Sequence, residues 1–229
     1  GTTDASVLTR SLVGAISGDA VELTGGTAAF ADKTVGTGKV VTLSGAALSG
    51  ADAGNYVLDS VATTTASITA LHVTGAFTAA DKVYDREIAA VVLTRSLVGA
   101  ILGDAVELNG GAASFADKTV ATGKVVTLTG AALSGLDVGN YVLDSVATTT
   151  ASITALHITG SFTAADKVYD GSAVATVLTR SLTGVLVGDA VELTSGTATF
   201  ANKNVGVDKV VTLGGAALSG LDAGNYVLD

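Results

Sequence analysis

The sequence repeats itself with a period of 85 residues. Tyr56, Tyr141 and Tyr226 are spaced by that period, and the same shift relates the phenylalanines and arginines Phe30, Phe115, Phe200, Arg10, Arg95 and Arg180. One solenoid repeat is shorter, at about 20–50 residues, whereas about 85 residues suffice for a small domain with its own core. We therefore predict a tandem array of small domains.

The repeat defines three copies within the 229 residues. We predict a first module at residues 1–69 that lacks its first strand, a complete module at 70–154, and a module at 155–229 that lacks its last strand. In the alternative frame, modules begin near Gly1, Arg86 and Gly171, and outer strands are shared between neighbours. The terms first, second and third copy refer below to these three segments.

Within a copy the apolar residues alternate with polar ones. Val106 and Leu108 flank Glu107, and Leu156 and Ile158 flank His157, as in half-buried β-strands. Gly-rich segments such as Asn109-Gly110-Gly111 and Thr129-Gly130 indicate turns between the strands. Seven or eight short strands per copy predict an all-β fold of immunoglobulin-like antiparallel β-sandwich modules, stiffly coupled into an elongated rod.

A short Asp-x-Gly-x-Tyr motif occurs in every copy. It resembles the tyrosine corner of immunoglobulin-like domains, in which a tyrosine hydroxyl binds upstream backbone. In the alternative interpretation, the aspartate caps a turn and the tyrosine lies in the core. Both interpretations give a structural role to Asp52, Gly54, Tyr56, Asp137, Gly139, Tyr141, Asp222, Gly224 and Tyr226.

Composition excludes several function classes. The net charge of −9 opposes binding to nucleic acid, and the absence of cysteine excludes disulfides and thiolate chemistry. The longest uncharged segment in the first half, residues 60–80, is rich in threonine, which disfavours a transmembrane helix. No serine has a histidine and an acid in a plausible arrangement, so we expect no enzyme.

Linked motifs run through all three copies. In the third copy they read KVYDGS at 167–172, GDAVEL at 188–193, FANKNVG at 200–206 and LSGLDAGNY at 218–226. Together they resemble the YDG-type repeats of large bacterial surface adhesins and haemagglutinin-like exoproteins. The resemblance implies an extracellular stalk or spacer that projects a binding domain lying elsewhere. Arg86 departs from the pattern, because the third copy has Gly171 there, and a positive-φ turn is disfavoured at that junction.

Two other functions stay open from the sequence. The incomplete outer modules could pair their edge strands with other copies of the chain and form a filament. Alternatively, each copy could bind a ligand, either a glycan or calcium, with Asp81, Asp85, Asp166 and Asp170 as the calcium candidates. We otherwise expect no cofactor and only neighbouring repeats as partners.

Overall fold

The computed structural model describes all 229 residues and is all-β. It contains eighteen strands, three short 3₁₀ turns and no α-helix. None of its helical segments is long and apolar enough to cross a membrane.

The first copy forms one four-stranded sheet. Its strands follow one another in the sheet as in the chain: β1 (Asp4–Ala5), β2 (Glu22–Phe30), β3 (Gly36–Ser49) and β4 (Thr64–Ile68). All three pairings are antiparallel. A 3₁₀ turn at Ala53–Asn55 follows β3.

The second copy contains eight strands, in agreement with the seven or eight predicted. They are β5 (Leu71–Ala79), β6 (Lys82–Val83), β7 (Ala89–Ala90), β8 (Val92–Val98), β9 (Glu107–Phe115), β10 (Ala121–Ser134), β11 (Tyr141–Val146) and β12 (Thr149–Thr154), with a 3₁₀ turn at Val138–Asn140. They form a three-stranded sheet in the order β11-β5-β8 and a five-stranded sheet in the order β6-β12-β10-β9-β7.

The third copy repeats this arrangement with fewer strands. It contains β13 (Leu156–Ala164), β14 (Val174–Ala175), β15 (Val177–Thr183), β16 (Glu192–Phe200), β17 (Val211–Ser219) and β18 (Tyr226–Leu228), with a 3₁₀ turn at Ala223–Asn225. Its two sheets have the orders β15-β13-β18 and β14-β16-β17. Most pairs are antiparallel, but β13 pairs with β18 in parallel, which is possible because the rest of the copy connects them.

The glycine pairs predicted as turns lie inside long strands instead. Gly110 and Gly111 have φ of +68° and +82° but lie inside β9. Their equivalents in the first copy, Gly25 and Gly26, lie inside β2, which pairs with β3 on either side of them. A Cβ at Gly26 would lie 2.9 Å from Leu43 Cδ1 and 3.0 Å from the Ala46 nitrogen. The prediction was wrong because glycine tolerates both this backbone conformation and the close approach, so the strand continues.

The chain divides into two compact units, and each copy boundary stays a prediction. Unit 1 comprises Gly1–Gly75, Ser96–Asn109 and Ala132–Ser145, and unit 2 comprises Ala76–Arg95, Gly110–Ala131 and Val146–Asp229. Buried apolar residues of unit 1 include Leu23, Ala28, Val41, Val73, Leu108 and Tyr141. Those of unit 2 include Phe77, Tyr84, Phe115, Val126, Ile153, Ile158, Leu193 and Tyr226. Burial alternates along strands, as at Ala151 and Ile153 in β12, which explains the predicted period of two.

Candidate functional site at the junctions between copies

In every copy a tyrosine hydroxyl joins the 3₁₀ turn to a distant loop. In the second copy, the Tyr141 hydroxyl accepts a hydrogen bond from the Ile101 amide at 3.2 Å and donates one to Asp104 Oδ2 at 2.8 Å. The first copy has the same pair of bonds at Tyr56, and the third has it at Tyr226. The tyrosine is thus bound both to backbone and to a carboxylate.

The aspartate of each predicted motif fixes the same loop from a second point. The side chains of Asp52, Asp137 and Asp222 accept hydrogen bonds from the amides of Ala20, Ala105 and Ala190 at 2.8, 2.8 and 2.9 Å. A tyrosine corner binds backbone a few residues upstream, but here the tyrosine hydroxyl meets an amide 40 positions upstream. A Cβ at Gly54, Gly139 or Gly224 would meet nothing within 4 Å, so space does not require these glycines.

The carboxylate bound by the tyrosine also receives a side chain from the preceding copy. At the first junction, Lys33 Nζ donates to Asp104 Oδ1 at 3.0 Å, and the Asp104 side chain is only 8% exposed. Beside this ion pair, the Val35 amide donates to Asn140 Oδ1 at 2.9 Å. Asp104 therefore joins its own copy to its neighbour.

The second junction places more groups on the equivalent carboxylate. The Tyr84 hydroxyl donates to Asp189 Oδ2 at 2.9 Å, and Arg86 Nε lies 2.8 Å from Asp189 Oδ1. The Arg86 guanidinium also donates to the Val187 carbonyl. The Asp189 side chain is 1% exposed, so it is a buried charge with an ionic partner and two phenol donors.

Further contacts extend the second junction. The Tyr84 ring packs edge-on against Tyr226, with ring centroids 5.6 Å apart. The Val120 amide donates to Asn225 Oδ1 at 3.0 Å, as Val35 does at the first junction. The backbone of Arg86 has φ of +72°, so the disfavoured positive-φ turn is present there. The ion pair with Asp189 gives a physical reason for an arginine in that conformation.

Burial at these positions follows the presence of a preceding copy. Asn55 is exposed, Asn140 is half-buried and Asn225 is 7% exposed. At the other face of the junction, Tyr84 is 2% exposed, whereas Tyr169, the equivalent residue of the third copy, is 57% exposed. The same residues are therefore buried or half-buried where two copies meet and exposed where they do not.

The surroundings of the junction carboxylates favour the ionised form of their side chains. Hydrogen bonds from Tyr141 and then Lys33 hold the pKa of Asp104 below its usual value. Burial would raise the pKa of Asp189, but the tyrosine hydrogen bonds and the Arg86 charge outweigh burial and lower it. Burial, and then the Asp189 hydrogen bond, raises the pKa of Tyr84 to about 12. Near neutral pH the carboxylates are ionised and the phenols keep their protons.

The structure does not bring the predicted calcium ligands together. Asp85 and Asp170 each pair with the lysine three residues earlier, at 2.6 and 2.8 Å, and Asp81 accepts the Ser152 amide at 2.5 Å. The lysine hydrogen bond lowers the pKa of Asp170 to about 2. Asp166 belongs to no group of three or more histidine and carboxylate side chains that could share a metal ion. The structure contains no such group elsewhere. Calcium binding stays a prediction without geometric support.

Sequence reasoning missed the joining role of the carboxylates. Asp19, Asp104 and Asp189 recur with the same period as the tyrosines, and that recurrence is the signal that could have linked them. Their partners Lys33 and Tyr84 also recur, as Lys118 and Tyr169, but recurrence alone does not pair them with carboxylates that lie 71 and 105 positions away.

Comparison with known proteins identifies the repeating unit. The family model described as the YDG domain matches three consecutive segments, at residues 1–66, 64–152 and 149–229. No curated protein and no solved structure matches the chain. Because the three matches together span every residue, the chain belongs to the YDG domain family and consists of YDG domains in tandem.

Proposed function

We propose that this chain is a non-enzymatic spacer, a region of a stalk in which YDG domains repeat to extend the reach of a binding domain elsewhere in the same protein. Each copy would be an immunoglobulin-like sandwich with an 85-residue repeat, and the copies would form a rod. The observation that carries the proposal is the junction carboxylate, bound by its own tyrosine and by the preceding copy.

The short connections between copies support stiff coupling. Strand β4 ends at Ile68 and β5 begins at Leu71, while β12 ends at Thr154 and β13 begins at Leu156. With no more than two residues between consecutive strands, the connection has little length in which to bend. A buried ion pair and directed hydrogen bonds then favour one orientation over others.

Small-angle X-ray scattering of the intact chain tests the rod. A domain of this size has a diameter of about 30 Å, so three in a row give a length of about 90 Å and a radius of gyration of about 26 Å or more. A single compact globule of the same length would have a radius of gyration of about 17 Å. The smaller value would refute the rod. A chelator should leave the scattering unchanged, whereas a chelator-dependent shortening would restore the calcium hypothesis.

A variant of the junction carboxylate tests whether this residue stiffens the array or whether the copies are only linked in sequence. Asp189→Asn removes the charge that Arg86 meets and should broaden the distribution of interatomic distances toward bent forms. The matched control is Asp19→Asn, which alters the equivalent carboxylate where no preceding copy contacts it. Equal scattering from both variants would show that the carboxylate does not stiffen the array.

The extracellular location rests on the resemblance to bacterial surface exoproteins. We propose that the chain is displayed on the cell surface or secreted. Antibodies raised against the chain should label intact producing cells, and labelling only after permeabilisation would refute this location.

A further inference from the structure

In the second copy, a lysine two residues before the junction tyrosine closes the loop that carries this tyrosine. Lys82 Nζ lies 2.6 Å from Asp85 Oδ1. It also donates hydrogen bonds to the Glu87 carbonyl at 2.8 Å and the Ala89 carbonyl at 3.1 Å. The centre of the Phe115 ring lies 5.9 Å away. Three oxygens and an aromatic face thus surround an ammonium group whose side chain is 17% exposed. We call the lysine with its three oxygen partners the lysine clasp.

The lysine clasp fixes the residues on both sides of Arg86. Asp85 Oδ1, which meets the lysine, also accepts a hydrogen bond from the Glu87 amide at 2.9 Å. The Glu87 carbonyl binds the lysine itself. Arg86 lies between these two residues and has φ of +72°, a conformation that residues other than glycine rarely adopt. The hydrogen bonds of its neighbours therefore hold a strained residue in place.

The third copy forms the same lysine clasp around an exposed tyrosine. Lys167 Nζ donates hydrogen bonds to Asp170 Oδ1 at 2.8 Å and to the Ser172 carbonyl at 2.9 Å. Asp170 Oδ1 again accepts the amide two residues later, at 2.9 Å. Tyr169 is 57% exposed, and residues 165–170 are not part of a strand. The lysine clasp therefore requires neither a buried tyrosine nor strand pairing within the loop.

The residue after the clasped aspartate has the same backbone conformation in both copies. Gly171 has φ of +83°, close to the +72° of Arg86. Glycine adopts this conformation without strain, whereas arginine does not. The lysine clasp is common to both loops, but only the loop of the second copy contacts a following copy. We therefore attribute the loop conformation to the lysine clasp and not to that contact.

The loop of the second copy places two side chains on one carboxylate of the third copy. Tyr84 donates to Asp189 Oδ2 at 2.9 Å, and Arg86 Nε lies 2.8 Å from Asp189 Oδ1. A Cβ at Gly188 would lie 3.0 Å from Arg86 Nη2, so the guanidinium packs closely on this glycine. Directed contacts to both oxygens of one carboxylate require an accurately placed loop. A loop that is ordered before the contact forms avoids the entropic cost of ordering it then.

We propose that Lys82 is a positioning residue of the second junction, whose lysine clasp orders the loop that presents Tyr84 and Arg86 to the third copy. The hydrogen bonds of Lys82 stay within its own copy, so it acts through the loop. This inference rests on the junction contacts of the proposed spacer, but it does not require the copies to form a rod.

Amide hydrogen exchange of the intact chain tests this role at two places. The Glu87 amide is bound to Asp85 and reports the loop, while the Val120 amide is bound to Asn225 and reports the junction. Lys82→Met keeps an unbranched apolar side chain but removes the ammonium group. We expect both amides to exchange about 5- to 30-fold faster than in the unaltered chain. An unchanged rate at Val120 would overturn the proposal, whatever the rate at Glu87.

Lys167→Met is the matched control, because it removes the same lysine clasp from the loop with the exposed tyrosine. It should speed exchange of the Ser172 amide, which is bound to Asp170, and leave the Val120 amide at its original rate. If Lys167→Met and Lys82→Met sped Val120 exchange equally, the effect would be a general loss of stability, and the positioning role would be refuted.

A combined variant separates positioning from support of the fold. In the Tyr84→Phe/Arg86→Gly chain, the loop presents no polar side chain to Asp189. Adding Lys82→Met to that chain should change Val120 exchange by less than about twofold, because the lysine acts through the two side chains already removed. A further increase of about 5- to 30-fold would refute positioning. Small-angle scattering of the unaltered chain judges the spacer separately, since a compact chain would refute the rod and leave these exchange results standing.

Discussion

One contact at the junction between the second and third copies is made by a hydroxyl group whose removal leaves the other contacts in place. Tyr84→Phe keeps the ring that packs on Tyr226 but deletes the hydrogen bond of 2.9 Å to Asp189. A hydrogen bond to a charged group contributes about 1.5–3 kcal/mol. Because Asp189 keeps its bonds to Tyr226 and Arg86, we expect a loss near the lower end of that range or slightly below it, about 1–2 kcal/mol at the junction.

Amide hydrogen exchange measures this loss where it occurs. The Val120 amide is bound to Asn225 of the third copy, so its exchange reports opening of the second junction. A loss of 1–2 kcal/mol should speed its exchange by about 5- to 30-fold. The Val35 amide, bound to Asn140 at the first junction, should exchange at its original rate.

Tyr169→Phe is the matched control. Tyr169 occupies the equivalent position in the third copy and is 57% exposed, so losing its hydroxyl should change stability by less than about 0.5 kcal/mol. If both variants left Val120 exchange unchanged, the phenol would not hold the copies together. If both changed it equally, the effect would not arise at the junction.

Two further predictions concern the second copy. Since the Tyr141 hydrogen bond helps lower the pKa of Asp104, its stabilising effect should be complete above pH of about 4 and lost as pH falls through the lowered folded-state pKa. Unfolding measured at neutral and acidic pH should show this loss, and Asp104→Asn should show less of it; an equal acid response would contradict the assignment. Gly135→Ala should destabilise the fold by about 2 kcal/mol or more, because Gly135 has φ of +117° and a Cβ there would lie 2.2 Å from a backbone carbonyl. Gly139→Ala, with nothing within 4 Å, should change the free energy of unfolding by less than about 0.5 kcal/mol, and similar urea midpoints for the two variants would refute this steric argument.

Much of the strand structure could be predicted from local pattern. Alternation predicted strands around Glu107 and His157, and the structure has β9 at Glu107–Phe115 and β13 at Leu156–Ala164. Alternation succeeded there because these strands bury one face. The turn signal failed at Gly110 and Gly111, because a glycine pair that signals a turn in isolation also permits a strand to continue when a partner strand is present.

The candidate site was predictable only in part. The motif around Tyr141 was identified from its spacing. In the structure its hydroxyl accepts a hydrogen bond from the Ile101 amide, 40 positions upstream. The sequence pattern assigns no joining role to the carboxylate of Asp104. Its partner Lys33 belongs to another copy, and no pattern within one copy contains that information.

The sequence by itself determined the repeat, the strand periodicity and the family, because each is a property of residue order along the chain. Tertiary structure decided which residues of one copy meet those of the next. Lys33 and Asp104 are 71 positions apart, and Tyr84 and Asp189 are 105 apart. The charge and hydrogen-bonding capacity of a side chain follow from its residue type. Whether two such groups meet depends on the packing of the strands between them, and that packing exists only in the folded chain.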